Sequence, residues 1–575
     1  MKELYQRLFS RPTIATEILI ASLFANLLAL ATPLFVIQVL NRYVSHGVNA
    51  TLITLTSGVL IAVIMEFFFR QIRMRLALGI SKGPDQKTAL SGFQILTQAK
   101  SVALQRIPEG IRREIINGAT AVETAYAPAN ITVVLDVPFS LLFVGALFFL
   151  SPAIAWIVVF FLAFVFIFGA VMAASLRNGT DALIEASGTA GALVSTANRE
   201  FETVRAFNAG SFLRQAWEKQ LQKTQNLRND IAMRQGFIQS VTQSATALMS
   251  VAVIAVGATL VVDGKLDIGA MIGANILAAR ALQPVSRLSQ LGETFAKAQR
   301  SLALLAEFSR VPLEPVTGSA KAEYQGALEL RDLSFSYPSN NNPLFESLAV
   351  SLPPGAILVV NGSNGAGKTT LARLLVGLLE PTRGQILADG LDLRQATPEW
   401  WRRQVIYLPQ EPTFLNATIE ENIRVANPNI DNAGLNRVID LAGLRHFIDE
   451  SEKGFEAPVT NDGRHLSLGI RRRLALARGL STGGRLAVMD EPTEGLDQEG
   501  CAALYGVMNE LARRKHTIIA ITHDPKIIKG AHGTVNLNAK PIPEVTFDPN
   551  KVPKADAKNP SPPETNEIDK DTAAQ

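Results

Sequence analysis

Nine consecutive residues, Gly362-Ser363-Asn364-Gly365-Ala366-Gly367-Lys368-Thr369-Thr370, have the types and spacing of a phosphate-binding loop. An apolar stretch, Ile357-Leu-Val-Val, precedes them as a predicted strand, and Leu371–Leu379 follows as a predicted helix. The glycines let backbone N–H groups curl into a nest around phosphate oxygens, and the helix N-terminus adds its positive end. Lys368 can reach the β- and γ-phosphates of a nucleotide, and the Thr369 hydroxyl can ligate Mg²⁺. A second apolar strand, Leu486-Ala-Val-Met, runs into Asp490-Glu491. A carboxylate at the C-terminal end of a strand can hold Mg²⁺ through water, and its neighbour can polarise an attacking water. A third strand, Thr517–Thr522, ends at His523. Alone, the acidic pair fits a helix cap equally well, and a strand-end histidine fits a structural role. Combined with the loop, the acidic pair marks a nucleotide hydrolase.

The elements that must position these groups begin after about residue 305. There, short β-branched runs alternate with helical stretches and Gly/Pro punctuation, the pattern of a parallel α/β domain. Its core strands are expected to include Ala356–Asn361, Arg485–Asp490 and Thr517–Thr522. Residues 541–575 are polar and proline-rich without apolar periodicity, and read as a disordered tail. The single cysteine, Cys501, excludes a disulfide scaffold and reads as a packed helix residue.

The first half has a different texture. The chain has 575 residues, is 47% hydrophobic and only 18% charged, and mean hydropathy is +0.18. Residues 18–41, 47–65, 137–176 and 235–262 carry no charge at all. A helix crossing ~30 Å of hydrocarbon needs about 20 mostly apolar residues. Six spans are therefore expected, near 18–40, 50–69, 134–150, 153–175, 240–262 and 267–285, the last interrupted by Arg280. The run from Val137 to Leu176 divides at Ser151-Pro152. The first span is too long for a signal-peptide core and lacks a cleavage site. Basic residues before span one (Lys2, Arg7, Arg11) and after span two (Arg70, Arg73, Arg75) put both termini in the cytoplasm. The connections 76–133 and 177–239 then continue as cytoplasmic helices. Glu66, Asp136 and Arg280 fall at membrane depth, where they could line a pore, pair with one another or sit at the interface. A net charge of +4 is too mild to argue for nucleic acid.

Residues 326–540 resemble an ATP-binding cassette of the ABC superfamily, on the loop and Asp490-Glu491 above together with Phe-Ser-Tyr337-Pro, Leu-Pro-Gln410-Glu and Glu-Gly-Leu-Asp497. The resemblance implies that Tyr337 stacks on adenine, that Gln410 senses Mg²⁺ and the membrane domain, that Asp497 crosses a dimer interface, and that His523 contacts the γ-phosphate. With it, Thr369, Gln410 and Asp490 become the expected Mg²⁺ set, and Glu491, His523 and Gln410 the catalytic set. Segments of the first half (Ser22-Leu-Phe-Ala-Asn-Leu-Leu-Ala-Leu-Ala-Thr-Pro, Asp136-Val-Pro-Phe and Ile276-Leu-Ala-Ala-Arg-Ala-Leu-Gln-Pro-Val) resemble bacterial type I secretion exporters. Glu202-Thr-Val-Arg-Ala-Phe resembles the loop that docks such membrane domains on the ATPase.

The implied fold is a membrane α-helical bundle of six transmembrane helices fused to an α/β P-loop ATP-binding cassette. Its expected layout is a transmembrane domain over 1–305, a linker over 306–325, the cassette over 326–540 and the tail. The implied activity is an ATPase of the bacterial inner membrane that exports an unfolded protein, with partners in a membrane fusion protein and an outer-membrane channel. The peptidase-like N-terminal domain of haemolysin-type relatives is expected to be absent, because span one begins within about 20 residues of Met1. Export of lipid, peptide or drug on the same scaffold is the alternative, as is a nucleotide-dependent assembly platform. The family signature LSGGQ stands here as Leu466-Ser467-Leu468-Gly469-Ile470, and Val459-Thr-Asn-Asp-Gly lacks the usual glutamate. Ser467 and Gly469 keep their types, while Leu468 adds bulk and Ile470 removes an amide. A homodimer with slowed turnover, a heterodimer with a second half-transporter, and a switch with little turnover all fit these changes.

Overall fold

The computed structural model describes residues 2–44, 47, 49–318, 323–337, 342–548 and 551. The chain divides into two compact units, the first running to Leu313 and the second from Glu314, with Lys100–Val102 counted in the second.

Six helical stretches of the first unit are long and apolar enough to cross a membrane: Pro12–Tyr43, Asn49–Gln98, Pro128–Leu150, Pro152–Arg199, Gly210–Val262 and Ile268–Gln290. Each overlaps one expected span almost completely. Asn49–Gln98, Pro152–Arg199 and Gly210–Val262 run 50, 48 and 53 residues, far beyond the ~20 that hydrocarbon requires. Helix thus continues into much of the polar connections. The expected division at Ser151-Pro152 is present: Ser151 is extended and Pro152 occupies the first helical turn, where its missing N–H is no loss.

Several large apolar side chains of these helices are left exposed. Phe149 is 93% exposed and Phe160 65%, so bulky apolar groups point outward. Small residues mark some of the closest helix contacts. A Cβ at Gly169 would fall 2.5 Å from that of Ser289, so only glycine permits that approach, the usual packing device where no hydrophobic drive acts between helices.

The three ionisable residues at membrane depth are paired. The Arg73 guanidinium donates to Asp136 Oδ1 at 2.6 Å, and the Asn26 amide donates to the same oxygen at 3.1 Å. Glu66 lies 2.6 Å from Arg70 and 3.8 Å from Arg280.

The second unit is built on a six-stranded sheet. In spatial order its strands are Glu544–Phe547, Gly533–Asn536, Ile357–Asn361, Thr517–Ile521, Leu486–Asp490 and Val405–Leu408. The last five pair in parallel, and Glu544–Phe547 is antiparallel on the edge. Leu486–Asp490 and Thr517–Ile521 are buried at every position, as continuous apolar strands covered on both faces must be. A four-stranded antiparallel sheet, Phe345–Leu352, Leu328–Phe335, Arg383–Ala388 and Leu391–Asp392, stands beside it.

Three expectations change in detail. The helix after the loop is Lys368–Leu375 rather than Leu371–Leu379, since Gly377 takes a positive φ that ends it. The last helix of the first unit extends to Phe308, into the segment expected to be linker. The segment expected to be disordered from 541 starts with an ordered strand, Glu544–Phe547, whose alternating Val545 and Phe547 find a partner in Gly533–Asn536. The rest of that tail, apart from 551, lies outside the described residues.

Candidate functional site

The three central parallel strands end side by side, and each delivers one chemical element: Ile357–Asn361 leads into Gly362, Leu486–Asp490 ends at Asp490-Glu491, and Thr517–Ile521 leads to His523. Ligand sites of open α/β sheets lie in this crevice.

Lys368 opens the helix behind the loop and turns back into it. Its ammonium donates to Gly362 O at 2.9 Å, and lies 2.9 Å from His523 Nε2 and 3.0 Å from Glu491 Oε1. An ammonium has three protons, and two oxygens and a ring nitrogen lie within 3.0 Å of this one. His523 Nε2 also lies 3.1 Å from Gly362 O and 4.0 Å from Glu491 Oε1. Glu491 has φ +46°, a region non-glycine residues rarely enter. Its N–H is tied to Ile521 O at 2.8 Å, and Arg472 donates to its carbonyl. The surrounding bonds thus hold a strained backbone where the carboxylate must point into the crevice.

The loop itself is fastened from a distance. Asn538 Oδ1 accepts from both the N–H and the hydroxyl of Ser363, each at 2.8 Å, and Lys540 donates to Ala366 O at 3.1 Å. Gly365 has φ +83° and stays open to solvent. Gly367 has φ +105°, and a Cβ there would lie 2.6 Å from Leu344. Asn364 is exposed at the loop tip.

A second group gathers around the metal-ligand candidates. The Thr369 hydroxyl donates to Gln410 Oε1 at 3.3 Å. Asp490 is only 1% exposed, and neither carboxylate oxygen has a hydrogen-bond partner. Burial pushes its carboxyl above the ordinary value. The Thr369 hydroxyl opposes this; Glu491 adds to the rise, and Lys368 and Arg373 oppose it. A buried carboxylate with two idle oxygens, beside a hydroxyl and an amide oxygen, is an all-oxygen set of the kind a hard divalent cation takes.

Tyr337 stands at the loop's far side, its hydroxyl 3.1 Å from that of Thr370 and its ring edge-on to Phe335 at 4.9 Å.

The signature and interface candidates sit apart from this cluster. Ser467 caps the Leu468–Leu480 helix, accepting from Ile470 N at 3.3 Å. Asp497 caps Gln498–Arg513, accepting from Gly500 N at 2.7 Å, and pairs with Arg473. Those two bonds hold its carboxyl below the ordinary value. Gly469 has only Gly495 O near its open face, at 3.6 Å from an added Cβ, and Leu468 covers Gly495. Among the described residues no hydrogen bond or ion pair joins Ser467, Gly469 or Asp497 to Lys368.

Four participants escaped the sequence reading. Arg472 joins the signature helix to the catalytic strand end, bonding the carbonyls of Glu491 and Gln410 and the Glu494 carboxylate. Arg473 holds Asp497, while Asn538 and Lys540 hold the loop. The Arg471-Arg472-Arg473 run, basic in the first turns of a helix where cations are disfavoured, was a usable signal. Asn538 offered none, being brought to Ser363 only by the sheet.

The arrangement finds its counterpart in known proteins. A family described as "ABC transporter" matches residues 345–494, and one described as "ABC transporter transmembrane region" matches residues 15–285. The chain is an ABC transporter. As such it is a multi-pass membrane protein with an ATP-binding, ATP-hydrolysing domain. The leukotoxin export ATP-binding protein LtxB of Aggregatibacter actinomycetemcomitans is 27% identical over 522 residues, covering 90% of this transporter and 73% of LtxB. The alpha-hemolysin translocation ATP-binding protein HlyB of Escherichia coli O157:H7 is 29% identical over 527 residues, covering 90% and 74%. The structure of a bacterial Atm1-family ABC exporter with ATP bound superposes with a TM-score of 0.82 over 93% of this transporter and 95% of that chain, at 19% identity. That match establishes the exporter fold.

Proposed function

We propose that this transporter is the inner-membrane ATPase of a type I secretion system and drives an unfolded protein out of the cell. The observation that carries the reading is the similarity of both halves together to toxin-exporting proteins over 90% of the chain. The reading includes cytoplasmic termini, a homodimer, and a membrane fusion protein and outer-membrane channel as partners. Basic residues flanking the spans support the orientation.

In the proposed cycle, ATP enters between Tyr337 and the loop, with adenine on the Tyr337 ring and phosphates over Gly362–Thr370. The phosphates compete for the Lys368 ammonium, which releases Glu491 and His523. Glu491 then orients and deprotonates the attacking water, and His523 donates to the γ-phosphate. Thr369, Gln410 and Asp490 would hold Mg²⁺, which would neutralise phosphate charge. Ser467, Gly469 and Asp497 would face the nucleotide of the partner subunit. Differential ATP affinity for the separated and closed dimers supplies the conformational work.

Deleting the gene is expected to remove one large protein from the culture medium, and complementation to restore it. Unchanged secretion in the deletion strain would rule the reading out. ATPase activity of the purified protein alone is the expected sign of a self-sufficient homodimer; turnover only after addition of a different half-transporter would replace it with a heterodimer.

A further inference from the structure

Two helices of the membrane unit, Gly210–Val262 and Ile268–Gln290, carry polar stripes that helical spacing alone would not require. On the first, Gln239 and Gln243 are four residues apart; on the second, Arg280, Gln283, Arg287 and Gln290 follow at intervals of three and four. Such spacings put each set on one face. The opposite face of the second helix, with Ala278, Ala281, Leu282 and Val285, is buried in the apolar core of the bundle. Both polar stripes line a single cavity of about 740 Å³. Polar and ionised side chains at membrane depth are tolerated where they face protein or a water-filled space, not lipid.

The cavity's charge is one-sided. Its lining includes two guanidinium groups and no carboxylate. Arg287 makes no ion pair or hydrogen bond among the described residues. Arg280 has Glu66, but at 3.8 Å, and Glu66 is held more tightly by Arg70 at 2.6 Å. One carboxylate therefore serves two arginines, and positive charge remains in the cavity. The amides contribute a different capacity, since each glutamine side chain both donates and accepts. Such groups match the alternating N–H and C=O of an extended backbone without regard to sequence. The seven steps from Arg280 to Arg287 advance about 10 Å along the helix, about the length of three extended residues.

We propose that this cavity binds an extended polypeptide and selects segments bearing carboxylates, the glutamines pairing with backbone and Arg280 and Arg287 with acidic groups about three residues apart. The inference rests on the protein-export reading and adds a charge preference to it. Guanidinium–carboxylate pairing is bidentate and stronger than neutral hydrogen bonding, and stronger again in a partly desolvated cavity.

The test uses the full-length transporter in nanodiscs of zwitterionic phosphatidylcholine, so that no anionic lipid competes. Three fluorescent, unstructured 12-residue peptides differ only in carrying Asp/Glu, Asn/Gln or Lys/Arg at the same positions. The acidic peptide is expected to bind about tenfold more tightly than the amide peptide, and the basic one most weakly. Arg287→Gln should reduce the tenfold preference to threefold or less, Arg287→Lys should keep most of it, and neither should change ATPase activity without peptide. Equal binding of all three peptides, or a preference unchanged in Arg287→Gln, overturns the charge selection while leaving protein export standing. If no peptide binds an ATPase-active wild type, both readings fall.

Discussion

Asp136 in the membrane unit and Asp490 in the ATPase unit are carboxylates kept largely from solvent, yet they are treated in opposite ways. Asp136 has a guanidinium at 2.6 Å and an amide at 3.1 Å on one oxygen. Asp490 has no hydrogen bond to either oxygen and a carboxyl pushed up by burial. A buried charge that is paired can serve the fold, because its partner offsets lost hydration. One left without a partner strains the fold and is retained where a ligand will complete it. The same contrast separates Glu66 from Glu491. Glu66 is held by arginines of the bundle, whereas Glu491 lies 3.0 Å from the Lys368 ammonium, on backbone at φ +46°.

The largest effect expected from this contrast is on turnover. Glu491→Gln should lower ATPase activity by about 10³-fold, within the range for loss of a general base together with its electrostatic contribution, while leaving nucleotide binding within a few-fold. Phosphate release and filter binding measure the two. Retained turnover in the Gln variant would move the catalytic role elsewhere.

Next comes the membrane pair. Arg73→Leu leaves Asp136 without its cation and should destabilise the protein by about 3 kcal/mol, while Arg73→Leu with Asp136→Leu recovers most of the loss. Thermal unfolding in detergent compares them. If the double variant is as unstable as the single one, the pair does more than satisfy charge.

Asp490→Asn should act in the reverse direction on stability. Without nucleotide or metal it should stabilise the protein by about 1 kcal/mol, since it removes an unsatisfied buried charge, and it should abolish Mg²⁺-dependent turnover. The pH dependence has a definite sign. A carboxyl raised in the folded state binds protons more tightly there than when unfolded, so its contribution is complete below the ordinary value of 3.8 and is lost as pH rises through the raised value. The advantage of Asp490→Asn should therefore grow across that window and then level off. An advantage independent of pH would show that Asp490 is not desolvated.

The smallest effect concerns the signature. Leu468 leans over Gly495 in the loop that ends at Asp497, where a glycine would leave that loop freer to reach a partner subunit. Leu468→Gly with Ile470→Gln should raise the ATPase rate about fivefold, equivalent to about 1 kcal/mol of transition-state stabilisation. No change would remove the altered signature as a brake on turnover.

The phosphate-binding loop, the strands that flank it and the six apolar spans were legible because each depends on local chemistry. Glycine spacing shapes a nest, a run of β-branched residues makes a strand, and about 20 uncharged residues suffice to cross hydrocarbon. Long-range pairings left no such trace. That Asp136 answers Arg73 and Asn26, that Asn538 anchors Ser363, and that Arg472 ties the signature helix to the carbonyls of Gln410 and Glu491 depends on which helices and strands lie side by side. Charge and hydrogen-bonding capacity are written in each residue, but whether they are met is not. Sequence determined that this protein would cross a membrane and hold nucleotide phosphates. Tertiary structure alone decided which buried charges found partners and which did not, because satisfaction is a matter of distance between residues far apart in the chain.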